Sequence, residues 1–298
     1  MIRLAVRVAS ERAEEALAEL LELAPAGVEE IDLGEQVEYA VYGAPGELPE
    51  LPDLQALAGG APVHISTSEI ADDWQERWKA FHHPVLVSVP THAGARTSER
   101  PAVAFHVRPP WEQPARRQGV REIVIDPGQA FGTGAHATTR MCLELLMCIA
   151  AAPGSSAPMR LLDLGTGSGV LAIAGAMLGF EPVLGLDNER ESVSAARENA
   201  LVNGVEMEVR HFDLRSDSLP WIAEEPAGVP LLLSANLLRP LLLELAAALP
   251  RPPAHLVAGG LLADEADEIA AAFAAGPRMR ERLRLHSGEW AALWLSAH

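Results

Sequence analysis

The chain has 298 residues, of which 49% are apolar, and its 41 acidic and 23 basic side chains leave a net charge of −18. That length suits about two domains, and that charge repels nucleic acid phosphates, so direct nucleic acid binding is not expected. Cys142 and Cys148 are the only cysteines. They stand six apart on one predicted helix and point to different sides of it. This excludes a disulfide framework and leaves no metal site in view.

The opening "MIRLAVRVAS" has no long apolar run behind a basic start, so no export signal is expected and a cytoplasmic setting follows. "IRLAVRV" reads as a strand. "SERAEEALAELLELA" reads as a helix capped by Ser10, with Ala13, Leu17, Leu20 and Leu21 along one stripe. "GVEEIDLG" and "QVEYAVYG" read as two strands. "LPELPDLQALAGG" can hold a short helix ending at Gly59 or Gly60, and "APVHISTSEI" reads as a closing strand. The order βαββαβ is that of a ferredoxin-like domain spanning residues 1–68. The first 80 residues carry 17 acidic and 5 basic side chains, a field that attracts a basic partner.

"ADDWQERWKAFHHPV" follows. Trp74, Trp78 and Phe81 share one face of a predicted helix. Residues 69–84 therefore read as a connecting helix. From residue 85 to 298 the pattern is first β-rich ("VLVSVP", "AVAFHVRPPW", "REIVID") and then alternates strand and helix. That alternation predicts an α/β domain with a mainly parallel, Rossmann-like sheet covered on both faces. "MCLELLMCIA" reads as the first helix of this part. "VPLLLSANLLRPLLLELAAALP" is the most apolar stretch. Asn236, Arg239, Pro240 and Glu244 interrupt it, so it reads as a strand followed by a buried helix and not as a membrane span. The chain closes on a hairpin pattern, "MRERLRLHSGEWAALWLSA".

Two glycine-rich stretches carry the chemistry. "LLDLGTGSG" sets Gly165, Gly167 and Gly169 between a strand and a helix, where free N–H groups and a positive dipole end meet a ligand. Asp187 ends the next strand, placed to accept both hydroxyls of an adenosine ribose. Asp163, just before the first glycine, adds negative charge. It disfavours a pyrophosphate, and with it a nicotinamide-dependent oxidoreductase. It suits a cofactor bearing an amino group and a sulfonium, as S-adenosylmethionine does. Asp213 ends the third strand and is either an acceptor for the adenine amino group or a surface cap. Asn236 ends an oily strand and faces a ligand or caps the next helix. The second stretch, "DPGQAFGTGAHATTR" (126–140), is too long for a turn and reads as a loop over a ligand. Its His136 is either a base or a holder of the loop's own hydrogen bonds.

"DPGQAFGTGAHATTR", "LLDLGTGSGVLAIAGAMLG", "GLDNERESVSAARENALVNG" and "SANLLRPLLLELA", in that order, resemble the bacterial ribosomal protein L-eleven methyltransferases. "DDWQERWKAFHHPV" and "GEWAALWLS" extend the resemblance over residues 72–298. The resemblance implies a class I methyltransferase sheet of seven strands with the last antiparallel. It implies that Thr139, Gly165, Gly167, Asp187 and Asn236 contact S-adenosylmethionine, with Asn236 also positioning the acceptor amine. It implies that Phe131, Gly132 and Thr133 fold over the methionine end. The substrate would be a basic ribosomal protein, methylated on lysine side chains or its α-amine by a monomeric enzyme. A lysine methyltransferase of another protein is the alternative. The chain reads Ala135-His136-Ala137 where the family commonly has Thr-His-Pro, and Arg239 stands beside the expected acceptor channel.

Overall fold

The computed structural model describes residues 2–9, 29–34, 36–43, 64–69, 82–89, 103–127, 134–152, 158–221 and 229–297. They fall into two compact units, Met1–Phe81 and His82–His298.

The first unit holds four strands: β1 (Ile2–Ala9), β2 (Glu29–Asp32), β3 (Gln36–Gly43) and β4 (His64–Glu69). They form one antiparallel sheet in the order β2-β3-β1-β4. β1 and β2 therefore run parallel with β3 between them, and β3 and β4 run parallel with β1 between them. Parallel strands need a crossover of a dozen residues or more. Residues 10–28 and 44–63 have that length, and they lie outside the described residues, as do the predicted helices within them and the Trp74–Phe81 helix. The strand order is that of the βαββαβ pattern. Buried Glu38 on β3 pairs with Arg7, its register partner on β1.

In the second unit a small sheet comes first. β5 (Val85–Ser88) runs antiparallel to β6 (Ala104–Arg108), and β6 runs parallel to β7 (Val120–Val124). Then come α1 (Ala137–Ala151), β8 (Arg160–Leu164), α2 (Val170–Leu178), β9 (Val183–Asp187), α3 (Arg190–Val202), β10 (Glu208–His211), β11 (Leu231–Asn236), α4 (Arg239–Ala248), β12 (His255–Leu262), α5 (Ala266–Ala275), β13 (Arg280–Ser287) and β14 (Trp290–Ser296). The large sheet has seven strands in the order β10-β9-β8-β11-β12-β14-β13. All neighbours are parallel except β14, which is antiparallel to both β12 and β13. The expected seven-stranded arrangement with an antiparallel last strand is present.

Apolar alternation sets the two faces of this sheet. Leu161, Val183, Leu232, Val257 and Ala292 pack toward α1, α2 and the small β5–β7 sheet. Leu162, Leu184, Leu233, Ala258 and Leu293 pack toward α4 and α5. Because both faces are covered, the strands read as unbroken apolar runs. Cys142 and Cys148 are free and buried in α1, and burial raises both thiols, Cys148 to about 11. They are small core residues.

One boundary differs from the sequence reading. The run "MCLELLMCIA" suggests a helix from Met141, but α1 begins at Ala137. The His136 side chain accepts from the Thr138 N–H and caps the helix. Thr138 and Thr139 are polar but buried, so they belong to its first turn and not to the loop. Among the described residues, no helix is long and apolar enough to cross a membrane.

Candidate active site

β8 is where the sheet changes direction. The chain leaves it for β9 on one side and later returns to β11 on the other. Ligands bind in the crevice that such a switch opens at the carboxyl ends of the strands. A cavity of about 530 Å³ lies there, lined by Thr139, Gly165, Gly167, Asp187, Asn236 and Trp290 among others. That volume fits a small-molecule site.

The cradle is built from backbone. Gly165 and Gly169 hold φ of +71° and +84°, which a side chain rarely adopts. A Cβ on Gly165 would stand 2.4 Å from Leu237 Cδ2, and one on Gly169 would meet Ala196 of α3 at 3.1 Å. Glycine is therefore required both by conformation and by space. The turn brings the Gly167 N–H to Asp187 Oδ2 at 2.8 Å. Asp187 Oδ1 accepts from the Glu189 N–H at 3.0 Å. Two backbone donors thus fix a buried carboxylate at the end of β9, and an ionised carboxylate has capacity for further donors.

Asn236, at the end of β11, faces the same cavity from the other side. Its Nδ2 donates to Thr139 Oγ1 at 3.4 Å. Its Oδ1 is buried and finds no partner among the described residues. A buried acceptor without a donor is rare in a folded protein. The alternative of a helix cap fails here, because Leu238 occupies the N-cap of α4.

His136 resolves the other way. Its Nδ1 contacts Thr138 Oγ1 at 2.7 Å and accepts from the Thr138 N–H at 3.3 Å, while its ring meets Trp290 edge-on at 4.8 Å. Burial, and then the charge of Arg140, holds its pKa below the usual histidine value. It is a neutral helix cap whose Nδ1 lone pair is engaged. Asp213 also serves its own turn: Oδ1 accepts from the Arg215 N–H at 2.9 Å. It borders a smaller cavity of about 200 Å³ that shares Gly165, Asp187 and Leu237 with the main one. Arg239 does not face an acceptor channel as a free cation. Its guanidinium is bidentate to Glu268 of α5, at 2.5 and 2.7 Å. A larger cavity, about 1010 Å³, opens at the opposite end of β9 against Pro182, Leu201 and Met207. It lies away from the strand carboxyl ends.

Asp163 lies under the cradle, 1% exposed, with its Oδ2 accepting from Thr166 Oγ1 at 2.8 Å. Ser234, its register partner on β11, brings a second hydroxyl beside it. Burial pushes this carboxyl up to about 6, against the opposing Thr166 and Ser234 hydroxyls and the Ala172 N–H and with help from the Asp187 charge. Between about pH 4 and pH 6 the unfolded chain has released this proton and the folded chain has kept it. Folded stability therefore falls through that window and is lower above it by on the order of 3 kcal/mol. Asp163→Asn removes the effect. Urea unfolding at pH 4, 5, 6 and 8 is expected to show the variant gaining on the wild type up to pH 6 and then holding level. A pH-independent difference would contradict a raised carboxyl.

Sequence comparison decides the family. The model for "Ribosomal protein L11 methyltransferase (PrmA)" matches residues 48–297. The chain belongs to this family. It is 37% identical over 227 residues to the ribosomal protein L11 methyltransferase of Heliobacterium modesticaldum, spanning 74% of this chain and 63% of that protein. It is 32% identical over 298 residues to that of Sorangium cellulosum, spanning 94% and 84%. Among solved structures, the ribosomal protein L11 methylase of Lactobacillus delbrueckii subsp. bulgaricus matches with a TM-score of 0.52 and 28% identity, over 70% of this chain and 98% of that one. Membership of the methyltransferase family, with its class I fold, sets aside the nicotinamide reading.

Of the residues singled out in the sequence, His136, Thr139, Gly165, Gly167, Asp187 and Asn236 line one cavity in this family member. Phe131, Gly132 and Thr133 lie outside the described residues. Sequence reasoning missed the apolar wall: Val170, Leu171, Leu237, Leu241 and Trp290. In the sequence these residues look like core. The available signal was the pair Leu237-Leu238 just past the strand end; Leu238 is 67% exposed. Among the described residues, no group of three or more metal-ligating side chains comes together.

Proposed function

We propose that this chain transfers a methyl group from S-adenosylmethionine to amino groups of ribosomal protein L11, on lysine side chains or the α-amine. The reading rests on one observation above all: Asn236, with its orphaned Oδ1, and the pinned Asp187 carboxylate line a single cavity from opposite sides of β8. The residues fit the cofactor. Asp187 would accept from the ribose hydroxyls, the Gly165–Gly169 cradle leaves room for close backbone approach, and Thr139 would stand at the methionine end. When bound, the cofactor supplies an electrophilic methyl on a sulfonium.

The remaining work falls to this chain's side chains. The acceptor must be neutral, and for a lysine that costs about 4.6 kcal/mol at pH 7. Leu237, Leu238 and Trp290 make the cavity wall apolar, which lowers the pKa of an amine brought against it. Asn236 Oδ1 accepts from the amine N–H and so aims its lone pair. Positioning of this kind is most of what such a displacement needs. With His136 engaged as a cap, no side chain is assigned as general base.

The division into a recognition domain (1–68), a connecting helix (69–84) and a methyltransferase domain (85–298) belongs to the same proposal. The acidic first part suits a basic ribosomal protein, and a cytoplasmic monomer suits such a substrate. The test is transfer of isotopically labelled methyl from S-adenosylmethionine into the ribosomal proteins of the host, read by mass spectrometry. Label on amine nitrogens of L11 is expected. Label confined to other proteins would overturn the substrate, and no transfer at all would overturn the reaction.

A further inference from the structure

β12 carries a glycine pair, Gly259 and Gly260, beside the end of β11. Gly259 is the register partner of Asn236. On its other edge β12 pairs Ala258 with Leu293 and Leu261 with Ala291 of β14, so the two glycines stand opposite the single residue Ala292. Such a bulge bends the strand that carries it. Gly260, at φ +75°, lines the cavity, and a Cβ there would stand 2.8 Å from the carbonyl carbon of Leu237. The bulge thus sets β12 close against the backbone of the cavity wall.

Gly259 meets the wall at a side chain. A Cβ on it would stand 2.7 Å from Asn236 Oδ1 and 3.4 Å from Asn236 Cγ. Ordinary contact needs about 3.5 Å, so the carboxamide would have to move. At its nitrogen the same carboxamide donates to Thr139 Oγ1 at 3.4 Å. It is therefore held between α1 and β12, with a hydroxyl at its nitrogen and an absent side chain at its oxygen. No hydrogen bond holds the buried Oδ1 among the described residues, so the shape of this slot orients it. Cys142, three residues on from Thr139 in α1, borders the same space, and the added Cβ would meet its Sγ as well. Glycine at 259 thus serves two ends: close packing of α1 on the sheet, and room for the Asn236 carboxamide.

We propose that Gly259 is a positioning residue for methyl transfer: by carrying no side chain it leaves the slot that holds the Asn236 carboxamide, and so sets how Asn236 presents its oxygen to the acceptor amine. The proposal rests on the role given to Asn236 in the methyltransferase reading above. Misplacement by about 1 Å costs about 100-fold in rate. The effect therefore falls on kcat and not on cofactor affinity, which Asp187 and the Gly165–Gly169 cradle retain.

The experiment places Gly259→Ala in two backgrounds of the full chain, Cys142→Ala and Cys142→Ala with Asn236→Ala. Cys142→Ala removes the Sγ that the new methyl would meet and leaves the Asn236 carboxamide as its obstacle. Measured are kcat and KM with ribosomal protein L11, the dissociation constant of S-adenosylhomocysteine by calorimetry, and the NMR signal of the Asn236 side-chain amide, assigned by its loss in Asn236→Ala. In the first background Gly259→Ala is expected to lower kcat about 10- to 100-fold and to move the amide signal, with the dissociation constant within about threefold. In the second it is expected to change kcat by less than about twofold, because residues that act through one another are not additive. An equal loss in both backgrounds overturns the proposal, as does an undiminished kcat or an unmoved amide signal in the first. If Gly259→Ala unfolds the first background, folding regained in the second supports the proposal, and folding not regained overturns it. A wild type that neither binds S-adenosylhomocysteine nor transfers methyl would instead refute the methyltransferase reading itself, while the amide signal still reports whether Gly259 orients Asn236.

Discussion

Asp187→Ala is expected to raise the dissociation constant for S-adenosylhomocysteine by about 100-fold or more. Each hydrogen bond to a charged acceptor contributes about 1.5–3 kcal/mol, and a ribose offers two hydroxyls to this carboxylate. The variant also loses the acceptors for the Gly167 and Glu189 N–H groups. Its Tm will therefore drop, but the sheet, which is cored by Leu184, Leu186 and their neighbours, persists. Asp187→Asn separates the two effects, because it keeps an acceptor for one backbone donor without the charge. Calorimetric titration beside circular dichroism makes the comparison. Wild-type affinity in a folded Asp187→Ala protein would remove the ribose assignment.

Asn236→Ala is expected to act on the rate. Loss of a single preorganised polar group at a reacting centre lowers kcat by about 10²–10³-fold. The dissociation constant for S-adenosylhomocysteine is expected to stay within about threefold, since Asp187 and the cradle are untouched. Steady-state kinetics with ribosomal protein L11 and a parallel titration read the two quantities. A rise in KM at constant kcat would mean that Asn236 contributes uniform binding only. Thr139 loses its partner in this variant. Thr139→Val removes the same contact from the other side and controls for it.

The sheet was legible because its strands are buried on both faces, so each is a plain apolar run ending in a polar signal: Gly165, Asp187, Asn236. Parallel sheets place ligands at those ends, and Gly165, Asp187 and Asn236 consequently meet in one cavity. Three features were hidden, each for a physical reason. The start of α1 was obscured because a buried Thr138-Thr139 pair looks like loop until His136 is seen to cap it. Arg239 looked like a channel residue because its partner, Glu268, lies on the next helix, and tertiary pairing leaves no trace in spacing. Asn199 and Asn203 looked like ordinary polar residues of an amphipathic helix. Only the path of β7 past them shows what their amides bind.

The direction change at β8 also divides the crevice between a local and a long-range strand pairing. The Gly165–Asp187 half of the crevice comes from neighbouring strands joined by a single helix. The Asn236 half arrives only when Arg160 pairs with Leu231 across a long intervening stretch of chain. Non-local pairings close late, because the loop entropy must be lost before the contact rewards it. The crevice is therefore complete only when one local and one long-range pairing are both in place.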